Sequence, residues 1–124
     1  MMMKFTCNTG ELNQGINSAL LAVSPKSTLL ALEGILVRVT TKEITLMSYN
    51  LEMGITAIVD AKVEKTGEII IPAKVFSDII RRIESDEVTI EADDRCLVQI
   101  TGGVSQFTIL GMTSEEFPEL PEVG

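Results

Sequence analysis

One pattern occurs twice along this chain: a short strand, an amphipathic helix, then three more strands. The first copy runs over residues 3–63 and the second over residues 68–110. Each opens on an alternating or apolar strand, residues 4–7 and 69–71, that breaks at Asn8 or Pro72 into a helix. A doubled pattern with both element types predicts an α+β fold. If the copies are related by a pseudo-twofold axis, their helices pack side by side on one face of a curved antiparallel sheet. Such doubling suggests a scaffold more than a pocket.

Local signals place the elements. Asn8 can cap a helix, with Glu11 three residues on in the capping-box position, and Leu12, Ile16, Leu20 and Val23 recur on one face, predicting a helix over residues 9–23. Its far side carries Gln14, Asn17, Ser18 and Leu21, with Glu11 near the start, and is almost neutral. After a turn at Ser24 and Pro25, residues 34–40 and 43–49 alternate as a hairpin, and residues 53–63 continue the period of two into a charged loop at 64–67. Met53 on that strand reads as core. In the second copy Pro72 suits the first turn of a helix whose apolar stripe is Val75, Phe76, Ile79, Ile80 and Ile83. Strands at 88–92, 96–101 and 104–110 follow, turning at Asp93 and Asp94 and at Gly102 and Gly103. The last strand of each copy, 53–63 and 104–110, is expected at opposite sheet edges, which attract further strands unless covered. The domain reads as residues 1–113. Residues 114–124, with their glutamates and two prolines, read as an acidic linker.

Composition narrows the function. At 124 residues and 45% hydrophobic the chain fits one domain able to bury roughly two-thirds of its unfolded surface. Cys7 and Cys96 form neither a disulfide framework nor a paired thiolate motif, in keeping with a reducing cytoplasm. Apolar runs fall far short of the roughly 18 residues a membrane span needs, and the polar start is not a signal peptide. The net charge is −8 with no histidine, which removes the side chain most used for acid–base work and metal binding near neutral pH. No cofactor or metal is implied. The acidity alone also opposes non-specific nucleic-acid binding, so the placement of the few cations decides.

On the second helix residues seven apart lie about 20° from alignment. Lys74 and Arg81 therefore share a stripe nearly opposite Phe76, with Arg82 beside it and Asp78 subtracting one charge. Lys26, just past the first helix, is the other candidate. Exposed lysines and arginines ordinarily just solvate a surface. In a doubled module with two open edges, a layer of helices with one neutral and one basic surface suits a ring whose hole the helices line.

The start Met3-Lys4-Phe5-Thr6, the stretch 26–34, Asn50-Leu51-Glu52-Met53, Pro72-Ala73-Lys74 with Phe76, and the exit Phe117-Pro118-Glu119-Leu120 together resemble the bacterial DNA polymerase III beta subunit, the replication sliding clamp. The resemblance covers the whole chain but only the first of that family's three similar domains. It implies the DNA-clamp fold and a head-to-tail homodimer of three-domain subunits that closes around duplex DNA and tethers the polymerase, with no chemistry of its own. It places Lys26 in a DNA-facing loop and Lys74 on a helix lining the hole. Phe107 and Ile109 match apolar positions on the edge strand that meets the partner subunit, and Gln106 stands where a basic residue can occur. Ser27 and Leu30 depart from the family's prolines, and Asn50 from its aspartate. The pocket for partner peptides, which DNA polymerase III subunits and the clamp loader use, belongs to later domains. The isolated domain is expected to be monomeric or weakly associating.

Two other readings compete. Glu91, Asp93 and Asp94 could hold a divalent cation, though the aspartates are more simply a hairpin turn. A stand-alone adaptor could instead bind proteins through its open strand edges, and the methionines Met47, Met53 and Met112 could add a promiscuous surface.

Overall fold

The computed structural model describes residues 3–23, 33–50 and 52–116. Strand β1 (Met3–Asn8) leads into helix α1 (Thr9–Leu20), and the first copy continues with β2 (Gly34–Val39), β3 (Glu43–Tyr49) and β4 (Gly54–Lys65). The second copy is β5 (Gly67–Pro72), α2 (Ala73–Arg82), β6 (Glu87–Ala92), β7 (Leu97–Gly102) and β8 (Ser105–Leu110). All strand pairings are antiparallel, in the order β5-β2-β3-β4-β1-β6-β7-β8.

That order interlocks the two copies. The first strand of each pairs with the second strand of the other, β1 with β6 and β5 with β2. With the end of β8 bridged back to β5, exchanging the copies maps the cyclic order onto itself, as a pseudo-twofold axis requires. Side chains repeat the relation at one constant offset: Phe5 and Ile69, Cys7 and Ile71, Leu12 and Phe76, and Ile16 and Ile80 are all buried. Both helices join one core with the inward residues of the sheet. α1 packs on β3 and β4, α2 on β2 and β5, and the helices touch each other.

Strand β4 is an edge over its first part only, not along the whole strand as the symmetry of the two copies predicts. Its first part, from Gly54 to Asp60, pairs with β3, and its second part, Ala61 to Lys65, pairs with β1. The expected loop at 64–67 is accordingly absent: β4 runs through Glu64 and Lys65, and Thr66 alone separates it from β5. Charged residues on the solvent side of a strand had imitated a loop. The symmetry-related seam, between the end of β8 and β5, is a single bridge in which Ile70 and Met112 exchange backbone hydrogen bonds of 2.9 and 2.8 Å. Met112 thereby joins Leu36, Met47 and Ile70 in a small apolar cluster on the sheet face away from the helices.

Several local readings need revision. α1 ends at Leu20 instead of Val23, and Gly15 and Ala19 supply buried contacts beside Leu12 and Ile16. Asn8 caps it as expected, its Oδ1 accepting from the Glu11 N–H at 2.9 Å. Pro72 stands at the cap of α2, one place before the first turn. Val75 is exposed and Ser77 buried, because Ala73, Phe76, Ser77 and Ile80 follow the three-and-four spacing that faces the core and Val75 lies off that stripe. Met53 precedes β4 and is 45% exposed, so it is not core. Asn50 Oδ1 accepts from the N–H groups of Glu52 at 3.0 Å and Met53 at 2.7 Å, so the amide performs the turn-forming task of an aspartate. Cys96 belongs to the turn before β7, with a positive φ of 65°. Val104 lies in the turn before β8. Beyond residue 113, Ser114–Glu116 forms a 3-10 turn against β5. The expectations for Ser24, Pro25, Ser27, Leu30 and the exit residues 117–120 lie outside the described residues.

Close approach of α1 to the sheet depends on Gly15. A Cβ there would stand 2.9 Å from Leu46 Cδ1 and 3.1 Å from Val59 Cγ2. Gly15→Val should therefore lower unfolding free energy by about 1–3 kcal/mol in a urea titration, despite valine being the better helix former. Cys7 is sealed in the core beneath α1, and burial, with a smaller contribution from Glu11, pushes its thiol up to about 12. Thiols react as thiolates. A disulfide reagent at mildly alkaline pH should thus titrate Cys96 in the native protein, and Cys7 only after denaturant is added.

Candidate nucleic-acid interface

The solvent face of α2 consists of Lys74, Val75, Asp78, Arg81 and Arg82, all exposed, while Phe76, Ile79 and Ile80 anchor the opposite side. Its net charge is positive, as the seven-residue spacing predicts. Arg81 and Arg82 also occupy the last turn, where cations favour the helix dipole, and α1 carries Glu11 in its first turn for the converse reason. Dipole compensation explains two arginines at this end. It does not explain Lys74 in the first turn, where a cation is unfavourable.

The three cations are not equivalent. Arg81 is folded back along its own helix: its Nη2 pairs with Asp78 Oδ1, and its Nε donates to the Ser77 carbonyl at 3.4 Å. Among the described residues, neither Lys74 nor Arg82 forms an ion pair. The neighbouring face of α1 offers Gln14, Asn17 and Ser18 with Glu11 at its start, so the helical layer pairs a neutral surface with a basic one. Lys26 lies outside the described residues.

At the rim, β8 ends the strand order. Gln106 and Thr108 are exposed, while Phe107 and Ile109 are half-buried against the core. The strand bears no charge, and Leu110 at its end is 64% exposed. A second open flank is the side of Gly54–Val59 that faces away from β3, because β1 engages only the later part of β4. Sequence reasoning placed an edge here but missed the double pairing. The one available signal was length, since β4 has 12 residues where β1 and β2 have 6.

The acidic residues considered as a cation site are engaged separately. Asp93 Oδ1 accepts from the N–H groups of Arg95 at 2.8 Å and Leu97 at 3.0 Å, and the Leu97 bond is the main reason its carboxyl lies below the usual range. Glu91 approaches Lys4 at 4.0 Å on the sheet face away from the helices. Asp93 is thus the acceptor that organises a tight turn. Elsewhere on the sheet, Glu68 is held below its usual range mainly by the hydrogen bond from Arg38 Nε at 2.8 Å, an exposed cross-strand pair between β2 and β5. Between the start of α1 and the end of α2, Thr9 Oγ1 and Asn13 Oδ1 are buried without a protein partner.

The family model for the N-terminal domain of the DNA polymerase III beta subunit matches residues 3–121. The chain belongs to this family. It is 33% identical over 124 residues to a beta sliding clamp of Synechococcus elongatus, covering 98% of this chain and 33% of the relative. A beta sliding clamp of Staphylococcus epidermidis is 30% identical over 130 residues, covering 98% of this chain and 34% of the relative. The crystal structure of the DNA polymerase sliding clamp from Bacillus subtilis superposes with a TM-score of 0.94 at 25% identity, across 99% of this chain and 34% of that one. The chain therefore spans about a third of the length of these beta subunits, and its two helices on an eight-stranded antiparallel sheet are the clamp-domain fold.

Proposed function

We propose that this chain is one domain of a ring-shaped clamp that encircles duplex DNA and confers processivity on DNA polymerase III. The reading is carried by family membership over residues 3–121 together with a net positive α2 face set in an otherwise acidic protein. The clamp performs no chemistry and acts by topology. A closed ring must open to leave the duplex, while shallow contacts to phosphates carry no sequence information and let it slide. Lys26, Lys74, Arg81 and Arg82 are the phosphate-facing residues in this proposal. Four such contacts would give a salt slope of about −3 to −4, and the isolated domain would bind duplex DNA at the weak end of non-specific affinity, on the order of 10⁻⁴ M.

Gln106, Phe107 and Ile109 on the open flank of β8 form the subunit interface in this reading, and the complete protein is a homodimer. Polymerase subunits and the clamp loader engage later domains of the complete subunit. The site of action is the cytoplasm, and among the described residues no helix is long and apolar enough to cross a membrane. The adaptor reading uses the same open edges, but the relatives named as sliding clamps favour the ring.

In the complete subunit, Lys74→Ala with Arg81→Ala should weaken binding to linear duplex and flatten the salt dependence by about 0.9 for each phosphate no longer neutralised. Unchanged affinity and slope would remove these residues from the DNA face. At the rim, Phe107→Asp or Ile109→Asp should shift sedimentation from dimer to monomer. Because both residues also touch the core, Thr108→Lys provides the companion test: it alters the exposed edge alone, and a dimer that survives it at low concentration would exclude this flank as the interface.

A further inference from the structure

We infer that Asp78 is a positioning residue that restrains Arg81 and thereby weakens the grip of α2 on the DNA backbone. The inference rests on the reading of α2 as a DNA-facing helix. Of the three cations on this face, Arg81 alone is tied down, by Asp78 one turn earlier and by the Ser77 carbonyl. Its guanidinium lies along the helix instead of extending from it. Lys74 and Arg82 remain unpaired among the described residues, so the helix offers phosphates two unencumbered charges and one withheld.

The pair is open to water, with side-chain exposures of 59% for Arg81 and 52% for Asp78. An exposed pair of this type is weak and salt-sensitive, so a phosphate can compete for the guanidinium. In doing so it meets the vacated Asp78 carboxylate at close range. Arg81 is thus a conditional contact, made when a phosphate comes close and returned to Asp78 when it leaves. Lys74 and Arg82 have no such internal alternative. For a sliding ring, a contact that always has somewhere else to go shortens the dwell at any one phosphate.

The test uses the purified 124-residue chain and a short fluorescent duplex, with anisotropy followed as salt is raised from a low value. Asp78→Asn, which keeps shape and removes charge, should tighten binding about two- to fivefold at low salt. It should also steepen the salt slope, by at most about 0.9, as a contact made part of the time becomes a permanent one. Asp78→Glu should behave as the parent chain. Asp60→Asn removes the same charge on a strand outside this helix and should leave the slope unchanged. Adding Arg81→Ala to Asp78→Asn should abolish the gain. The inference is overturned if Asp78→Asn matches Asp60→Asn, or if its gain persists without Arg81. If Lys74→Ala also fails to weaken binding, the fault lies with the reading of α2 as the DNA face, and this inference goes with it.

Discussion

Exchange of the first strand between the two copies is the constraint on which the rest of this molecule depends. β1 is held by β4 on one side and β6 on the other, and β5 by β2. Because each strand runs directly into its helix, the exchange also fixes where each helix leaves the sheet, α1 over β3 and β4 and α2 over β2 and β5. α1 and α2 are thereby brought into contact on one face and share a core in which Phe5, Leu12, Ile16, Phe76 and Ile80 are almost wholly buried. Neither copy can bury its apolar face alone. The helical layer is consequently a property of the whole domain, and its solvent side is a fixed surface on which charge can be arranged.

The arrangement is sparse. In the proposed clamp, a chain of net charge −8 that meets a polyanion cannot rely on its overall field, so the effective charges would be the few placed on that one surface. Lys74 stands in the first turn of α2, against the dipole preference, whereas Arg81 is partly neutralised within its own helix. The result is a weakly attractive wall next to the uncharged groups of α1. For the ring proposed above, strong local attachment would oppose movement along the duplex, and retention by closure needs none.

Much of this was legible in the residues themselves. The Asn8 cap, the period of two in β2, β3 and β6, and the seven-residue relation between Lys74 and Arg81 are short-range patterns, and local sequence encodes those well. What escaped was non-local or finely angular. Nothing near residue 61 announces that β4 changes partners, because its alternation continues unbroken across the junction. Val75 and Ser77 exchanged roles since one helical step moves a side chain about 100° around the axis, enough to leave a narrow apolar stripe. Cys96 carries no glycine-like signal for its positive φ; the Asp93 hydrogen bonds impose it. The partial freedom of Arg81 depended on a side-chain geometry that charge counting over residues 74–82 reduces to a subtraction.

The two seams related by the pseudo-twofold axis are unequal. One is a run of paired residues from Lys4 to Cys7 against the end of β4, and the other is the solitary Ile70–Met112 bridge. The backbone hydrogen bonds that close the two flanks are thus unequally shared. Among the described residues, opening the chain between the end of β8 and β5 would therefore break only the two backbone hydrogen bonds of that bridge, whereas parting β1 from β4 would break a whole run of pairs.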